Sequence, residues 1–484
     1  MEHYWKHVSF ISIFSTSLLL FLFSCNKKVE ESSSTSSTIS SCASSRTLTA
    51  TTKVPLLVVR VQYANATFQS NETTWADKMF GTSEGQMNHY LNETTYGKYQ
   101  FTPANETSGC NNDGVVTVTM SENHPNTQKD SWSCYATSAI RATDSSVNFE
   151  AFDTDGNDNL SVSELQVIFL IAGGESATSF NSPGGVWAQA TSLRCDANGD
   201  GSLSEVSGEV FMTLDNVNLL DSNSYGQNGY SQFGERQGGG SSNNWDATIG
   251  VIAHELGHAY FLLPDLYCTS GSCNGIGNFG LMGGGNWGRK SSTEKSGATP
   301  VHFSAWSKEK ISACVPQTVD SGTNNITLPA VFQSSIHAAS CGIYKASTST
   351  SDEYFLFENR SPGGYDEGLY YKILRGSTNY AAGSTYYTGG VAIWHVKDIL
   401  SSCSSTNNCE AQSPKLVDLE EANDGDLDNS SSKGRTTHLF YSGNSVTFDN
   451  SSTPDSKLYD NSSSGISATS ISAAGDSMTL TISK

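Results

Sequence analysis

The stretch from residue 249 to 288, IGVIAHELGHAYFLLPDLYCTSGSCNGIGNFGLMGGGNWG, limits what this chain can become more than any other. Within it His254, Glu255 and His258 form HExxH, set among apolar Ile249, Val251, Ile252, Leu256 and Ala259 at helical spacing. Four residues make just over one helical turn, so both imidazoles leave one face and can hold one metal ion. Glu255 stands one step round, where its carboxylate meets a water at that metal and not the metal itself. A solvated helix with two incidental histidines would not carry so apolar a run before them. The motif reads as the helix of a zinc hydrolase, with His254 and His258 as ligands and Glu255 as general base. Beyond it, GIGNFGLMGGGNWG gathers glycines round Leu281, Met282 and Trp287, the composition of a tight turn over an apolar floor.

The start of the chain says where such a protein would work. Lys6 and His7 precede an apolar run from Val8 to Phe23 broken only by serines and a threonine, so residues 1–25 read as an export signal. Leu22, Phe23, Ser24 and Cys25 have the form of a bacterial lipobox. The expectation is a lipid on Cys25 as the sole membrane attachment and a place in the cell envelope, as an outer-membrane lipoprotein, or outside the cell. Phe23 is bulky for its position and keeps simple secretion open. Residues 26–50 are rich in Ser and Thr, bury too little to fold and read as a tether.

Eleven cysteines leave ten once Cys25 is set aside, an even number that suits disulfides in an oxidising compartment. Proximity suggests Cys268 with Cys273, Cys403 with Cys409, Cys110 with Cys134 and Cys314 with Cys341, leaving Cys42 and Cys195 without evident partners. No CxxC pair offers a cysteine zinc site. The net charge of −21 argues against a nucleic-acid binder, which needs clustered Lys and Arg, and suits an exported protein and calcium, with solubility alone as the competing reading.

With 484 residues the chain has room for large cores and more than one domain. The fold class expected is α+β: a catalytic domain over 51–314, with a mixed sheet and the HExxH helix, then a β-rich region over 315–484 packed on it. PLLVVRVQY, from near Lys53, reads as a buried strand, a helix carries Met87, Tyr90 and Leu91, and VVTVTM at 115–120 is another strand. FDTDGNDNLSVSEL offers oxygen ligands at calcium-loop spacing: Asp153, Asp155, Asn157, the backbone of Asn159, Ser161 and Glu164. Asp158 stands where an EF-hand loop has Gly, and LQVIFLIAGG directly behind makes the loop feed a strand. CDANGDGSLSEVSGE repeats the theme with Asp196, Asn198 and Asp200, though Ser207 takes the twelfth position. Structural calcium is expected in both, with a solvated acidic turn as the competing reading. Residues 226–244, rich in Gly, Ser, Asn and Gln, read as a mobile approach to the helix, and VHFSAWSKEKI at 301–311 reads as helical. The strands ITLPAVF, EYFLFENR, GGVAIWHV, KLVDLEEA, SVTF and MTLTISK then form a sandwich or extend the catalytic sheet.

Taken in order, PLLVVRVQY, YLNETTYGKYQFTP, FDTDGNDN with VIFLIAGG, HELGH with LPDLY, GIGNFGLM, EYFLFENR, GGVAIWHV and GISATSI resemble the immune-inhibitor-A family of secreted bacterial metalloproteases. The resemblance runs from about residue 54 to 482 and implies a metzincin-like, zincin-type catalytic domain stabilised by calcium. It also implies zinc held by His254, His258 and Asp265, with Met282 in the methionine turn beneath. Two departures bear on Asp265: Phe261 stands where the family has a glycine, and one extra residue separates His258 from Asp265. Glu294 and Glu309 are the alternative third ligands. Glu358 and His395 match recurrent positions and carry no catalytic assignment.

The function expected is a zinc endopeptidase acting as a monomer on protein or peptide substrates, with no nucleic-acid partner. Two rivals stand beside it: an inert calcium-dependent surface adhesin on the same fold, and a zinc hydrolase of glycoprotein linkages. The complete HExxH weighs against the adhesin, since an inert descendant has no chemical reason to keep all three residues.

Overall fold

One strand organises the molecule. Thr52–Tyr63 lies inside an eight-stranded sheet and runs parallel to Tyr99–Pro103 and Val115–Met120 on one side and to Gln166–Glu175 on the other. Its apolar run does not alternate because both faces are covered. Val54, Leu56 and Val58 enter one core, while Leu57, Val59, Val61 and Tyr63 enter a second. Gln166–Glu175 divides in the same way, Ile168 and Leu170 against Val167, Phe169 and Ile171. A period of two thus makes the sheet a middle layer. Helix Ser133–Arg141 covers the second face with Ala136, Ala139 and Ile140. Helices Glu72–Phe80, Met87–Thr94 and Ile249–Ala259 cover the first. Met87, Tyr90 and Leu91 point into that core, as their helical spacing requires.

The computed structural model describes residues 50–484 except 129–131, 179, 192, 194–211, 220–228, 240–242, 334–340, 376–386, 404–406, 424 and 430–431. The expected export signal, Cys25, Cys42, Cys195 and the second acidic loop with Asp196, Asn198 and Asp200 lie outside the described residues.

The expected mobile approach to the helix is corrected by the structure. Tyr230–Gly238 is a buried strand, parallel to Gln166–Glu175 and antiparallel to Asn244–Asp246 at the sheet edge. Several of its polar side chains are buried with partners found elsewhere in the chain. Glu235 accepts from Gln69 N, Ser70 N and Ser70 Oγ, and Gln232 donates to the Trp187 carbonyl. Gly234 is there for space: a Cβ would stand 2.3 Å from the Gly174 carbonyl oxygen.

Past residue 314 the chain forms a sandwich and does not extend the first sheet. A five-stranded sheet runs Gln317–Thr318, Tyr344–Ser347, Glu353–Asn359, Val391–Lys397, Val417–Leu419, and a three-stranded one runs Thr323–Pro329, Ser477–Ser483, Ser467–Thr469. Phe355, Phe357, Val391 and Ile393 meet Ile326, Met478, Leu480 and Ile482 between the two sheets. The other face of the larger sheet, with Leu356, Ala392, Trp394 and Val396, joins the core that holds the HExxH helix. Two expected elements are smaller than read. SVTF contributes one isolated bridge at Phe448, and the helix expected over 301–311 covers Ala305–Lys310, begun where Ser304 Oγ accepts from Ser307 N.

Candidate metal centre

Helix Ile249–Ala259 is buried along its whole length, so its contacts are set on every side. Gly250 lets the Asn286 backbone approach, and Gly257 makes room for Met282, whose Sδ would lie 2.4 Å from a Cβ there. Past His258 the chain must reverse. The left-handed residue that achieves this is Leu262, at φ 57°, one position beyond the expected glycine site occupied by Phe261. Leu262 N donates to the His258 carbonyl at 3.1 Å, and Leu263 N to that of Gly257 at 3.0 Å. The extra residue noted in the sequence is therefore absorbed in the turn. Leu266 N then bonds the Met282 carbonyl at 2.9 Å, which docks the returning segment on the glycine-rich turn.

The return delivers Asp265 to the histidines. Asp265 Oδ1 lies 3.1 Å from His254 Nε2 and 3.3 Å from His258 Nε2, and the two Nε2 atoms are 3.2 Å apart. All three residues are buried. His254 Nδ1 is 3.0 Å from the Leu281 carbonyl and His258 Nδ1 is 2.6 Å from that of Leu263. A carbonyl only accepts, so each Nδ1 carries the proton, and in its neutral form each ring turns a bare Nε2 inward. Two nitrogen lone pairs and a carboxylate oxygen then face one another, and Asp265 Oδ1 has no hydrogen-bond donor. Such a trio repels itself unless a cation or a proton stands between its members. The titration of the trio follows from this. Burial pulls the His258 pKa down, but Asp265 more than offsets it and the net shift is upward. Burial pushes Asp265 up, yet the two imidazoles hold it far below the usual carboxylate range.

Glu255 lies beside this group on the wall of a cleft of about 590 Å³, with Trp187, Val251, His254, Tyr267 and Trp287. Burial pushes its pKa up to about 8; His254 lowers it, and Asp265 and Glu175 add to the rise. Glu175 is itself wholly buried. Its carboxylate accepts from Ala177 N, Ala188 N and Gly234 N at 2.9–3.1 Å, and burial raises its pKa to about 7 against those bonds.

The alternative third ligands lie elsewhere. Glu294 accepts from Lys290 N and Thr299 Oγ1, and Glu309 pairs with Lys345 and Tyr354. Glu358 is buried with Lys308, Arg360 and Trp394, and His395 sits between Glu353 and Glu420; neither approaches the cleft. Sequence reasoning missed Asn407. Its amide meets both the backbone and the carboxylate of Asp265 from 142 residues away, and the only local hint was its place between Cys403 and Cys409. Those cysteines are bonded, as are Cys268 with Cys273 and Cys314 with Cys341; Cys110 and Cys134 are each in a disulfide.

The first acidic loop also gathers its carboxylates: single oxygens of Asp153, Asp155 and Glu164 lie within 4.8 Å of one another. Asp158 takes the left-handed conformation, φ 60°, that the missing glycine would have had. Asn157 and Asn159 bond within the loop, while Ser161 Oγ donates to Glu164 at 2.8 Å and is turned towards that carboxylate. The loop runs into the short strand Asn159–Leu160 and then into Gln166–Glu175.

Among known proteins, residues 241–314 match the family model described as immune inhibitor A peptidase M6, catalytic domain, which bears out the resemblance read from the motifs. The matched segment contains the helix, the return to Asp265 and the glycine-rich turn that carries Met282. No curated protein matches the chain.

Proposed function

We propose that this chain, built round a peptidase M6 catalytic segment, is a zinc-dependent endopeptidase with a zincin-type site in which His254, His258 and Asp265 hold the metal and Glu255 is the general base. The observation that carries the reading is the convergence of three inward acceptors at 3.1–3.3 Å. Ligands about 2.0–2.1 Å from a tetrahedral zinc stand roughly 3.3–3.4 Å apart, so the donor set has the size as well as the chemistry of a zinc site. Leu281 and Leu263 fix both tautomers through Nδ1, the usual support for a histidine that ligates through Nε2.

Zinc bound there supplies Lewis acidity, polarising a peptide carbonyl and making water more acidic. Glu255 takes the proton of the attacking water and returns it to the leaving amine. Its raised pKa fits that second task, and positive charge at the histidines would bring it back towards neutrality for the first. Trp187, Val251 and Trp287 give the cleft apolar surface for substrate side chains. Glu255→Ala should lose about 10²–10⁴-fold in casein hydrolysis while zinc stays bound. Casein cleavage that survives this substitution, or survives chelation in the wild type, removes the proposal. Zinc binding without any protein cleavage would favour the glycoprotein-linkage reading.

Two further readings complete it. Calcium held by Asp153, Asp155 and Glu164 would brace the loop ahead of Gln166–Glu175, supported by the grouping of their carboxylates. Export with a lipid on Cys25 rests on the sequence of residues 1–25 and agrees with the disulfides. Fatty-acid labelling that persists in Cys25→Ser would exclude that anchor.

A further inference from the structure

Asp265 has one oxygen for the histidines and one for something else. Oδ2 accepts from Asn407 Nδ2 at 2.7 Å, while Asn407 Oδ1 accepts from Asp265 N at 2.8 Å. One amide therefore grips the main chain and the side chain of the same residue. A carboxylate held at only one of these points could still turn about its own bonds; held at both, Oδ1 stays aimed at the two Nε2 atoms. Asn407 is itself placed with care. It has φ 46°, a conformation asparagine adopts more readily than most residues. Its neighbour Asn408 accepts from Thr269 N at 2.9 Å. The disulfide Cys403–Cys409 closes the segment that carries both asparagines, and Cys268–Cys273 closes the segment they meet. Two cross-linked loops, one on each side of residue 314, are thus stitched together at the candidate metal site.

We propose that Asn407 is the positioning residue of the metal site: by holding Asp265, the C-terminal half of the chain sets the affinity for zinc. The inference rests on the reading of His254, His258 and Asp265 as zinc ligands. Its physical basis is that a ligand oriented in advance loses less freedom when the metal binds, and partners of this kind change metal affinity by about 10–100-fold.

The test uses the full chain, stripped of metal and titrated with zinc against a competing chelator, with Tm measured on the metal-free protein. Asn407→Ala should weaken zinc binding by about 10–100-fold in a protein that still folds without metal, its Tm lowered by alanine on a left-handed backbone. Asn407→Asp, the same shape but with an oxygen facing Asp265 Oδ2, should weaken it at least as much, and it serves if the alanine variant does not fold. Asn408→Ala, which loses the Thr269 bond but not the grip on Asp265, should stay within a few-fold of wild type. A zinc Kd within twofold of wild type in both Asn407 variants overturns the proposal, as does an Asn408→Ala loss equal to theirs. His254→Ala separates the two levels. If it binds zinc as tightly as wild type, the ligand reading itself has failed; if it abolishes binding while the Asn407 variants bind normally, only the role of Asn407 has.

Discussion

Gly250→Ala sets two local preferences against each other. Gly250 is the second residue of the HExxH helix, and its N–H donates to the Gly297 carbonyl at 2.9 Å. A Cβ at this position would stand 2.0 Å from the Asn286 carbonyl oxygen and 2.8 Å from Gly297 Cα. Ordinary contact begins near 3.4 Å, so the methyl group is about 1.4 Å too close to a backbone atom with no rotamer to give. Alanine gains about 1 kcal/mol in helix propensity over glycine. Against this, forcing the segments apart costs about 1–3 kcal/mol in overpacking and about 1–3 kcal/mol more where the Gly297 bond is lost. A net loss of about 1–5 kcal/mol remains. Asn286 and Trp287 line the cleft, so the same displacement should reach activity, where an error of about 1 Å can cost about 10²-fold. Calorimetric Tm and casein hydrolysis read the two effects. Gly475→Ala, where a Cβ meets nothing within 4 Å, is the control and should leave both unchanged. A Gly250→Ala protein with raised Tm and full activity would show that helix propensity outweighs the contact and that the packing argument is wrong.

Leu262→Gly asks the opposite question of the turn. Leucine at φ 57° costs about 1–2 kcal/mol, and the side chain is 41 % exposed, so glycine should keep the Tm or raise it slightly despite its own entropic cost of about 0.5–1 kcal/mol. A Tm several degrees lower would mean that the Leu262 side chain supports the turn. For the acidic loop, calcium at about 100 times its Kd should add about 2.7 kcal/mol to stability, read as a higher Tm. The increment should shrink in Asp153→Asn; an equal calcium response in variant and wild type would rule out that loop as the site.

Legibility in this sequence follows the range of the forces involved. The HExxH helix could be read because three side chains and their apolar surround lie within one helical period. The two-faced strand Thr52–Tyr63 could be read because residues buried on both sides leave an unbroken apolar run. Tyr230–Gly238 could not, since Gln232, Glu235 and Gln237 look solvated until their distant partners are known. SVTF has strand composition, yet it finds a neighbour only at Phe448. At the candidate metal site the sequence named Asp265 and marked its spacing as unusual. Where that extra residue went depended on Leu262 accepting a left-handed backbone, and what holds the carboxylate depended on Asn407, whose one local hint, its place between two cysteines, does not point to Asp265.

The core round the HExxH helix has a consequence in time as well as in space. Its members run from Val54 to Leu439 and include Leu356, Trp394 and Val417, so the packing that encloses His254 and Glu255 draws on nearly the whole described chain. A ribosome or export channel delivers the N-terminal part first. The histidines and Glu255 are therefore made well before Leu356, Trp394, Val417 and Leu439, the later members of the core that encloses them. The core round the candidate site is complete only when almost all of the chain has been made.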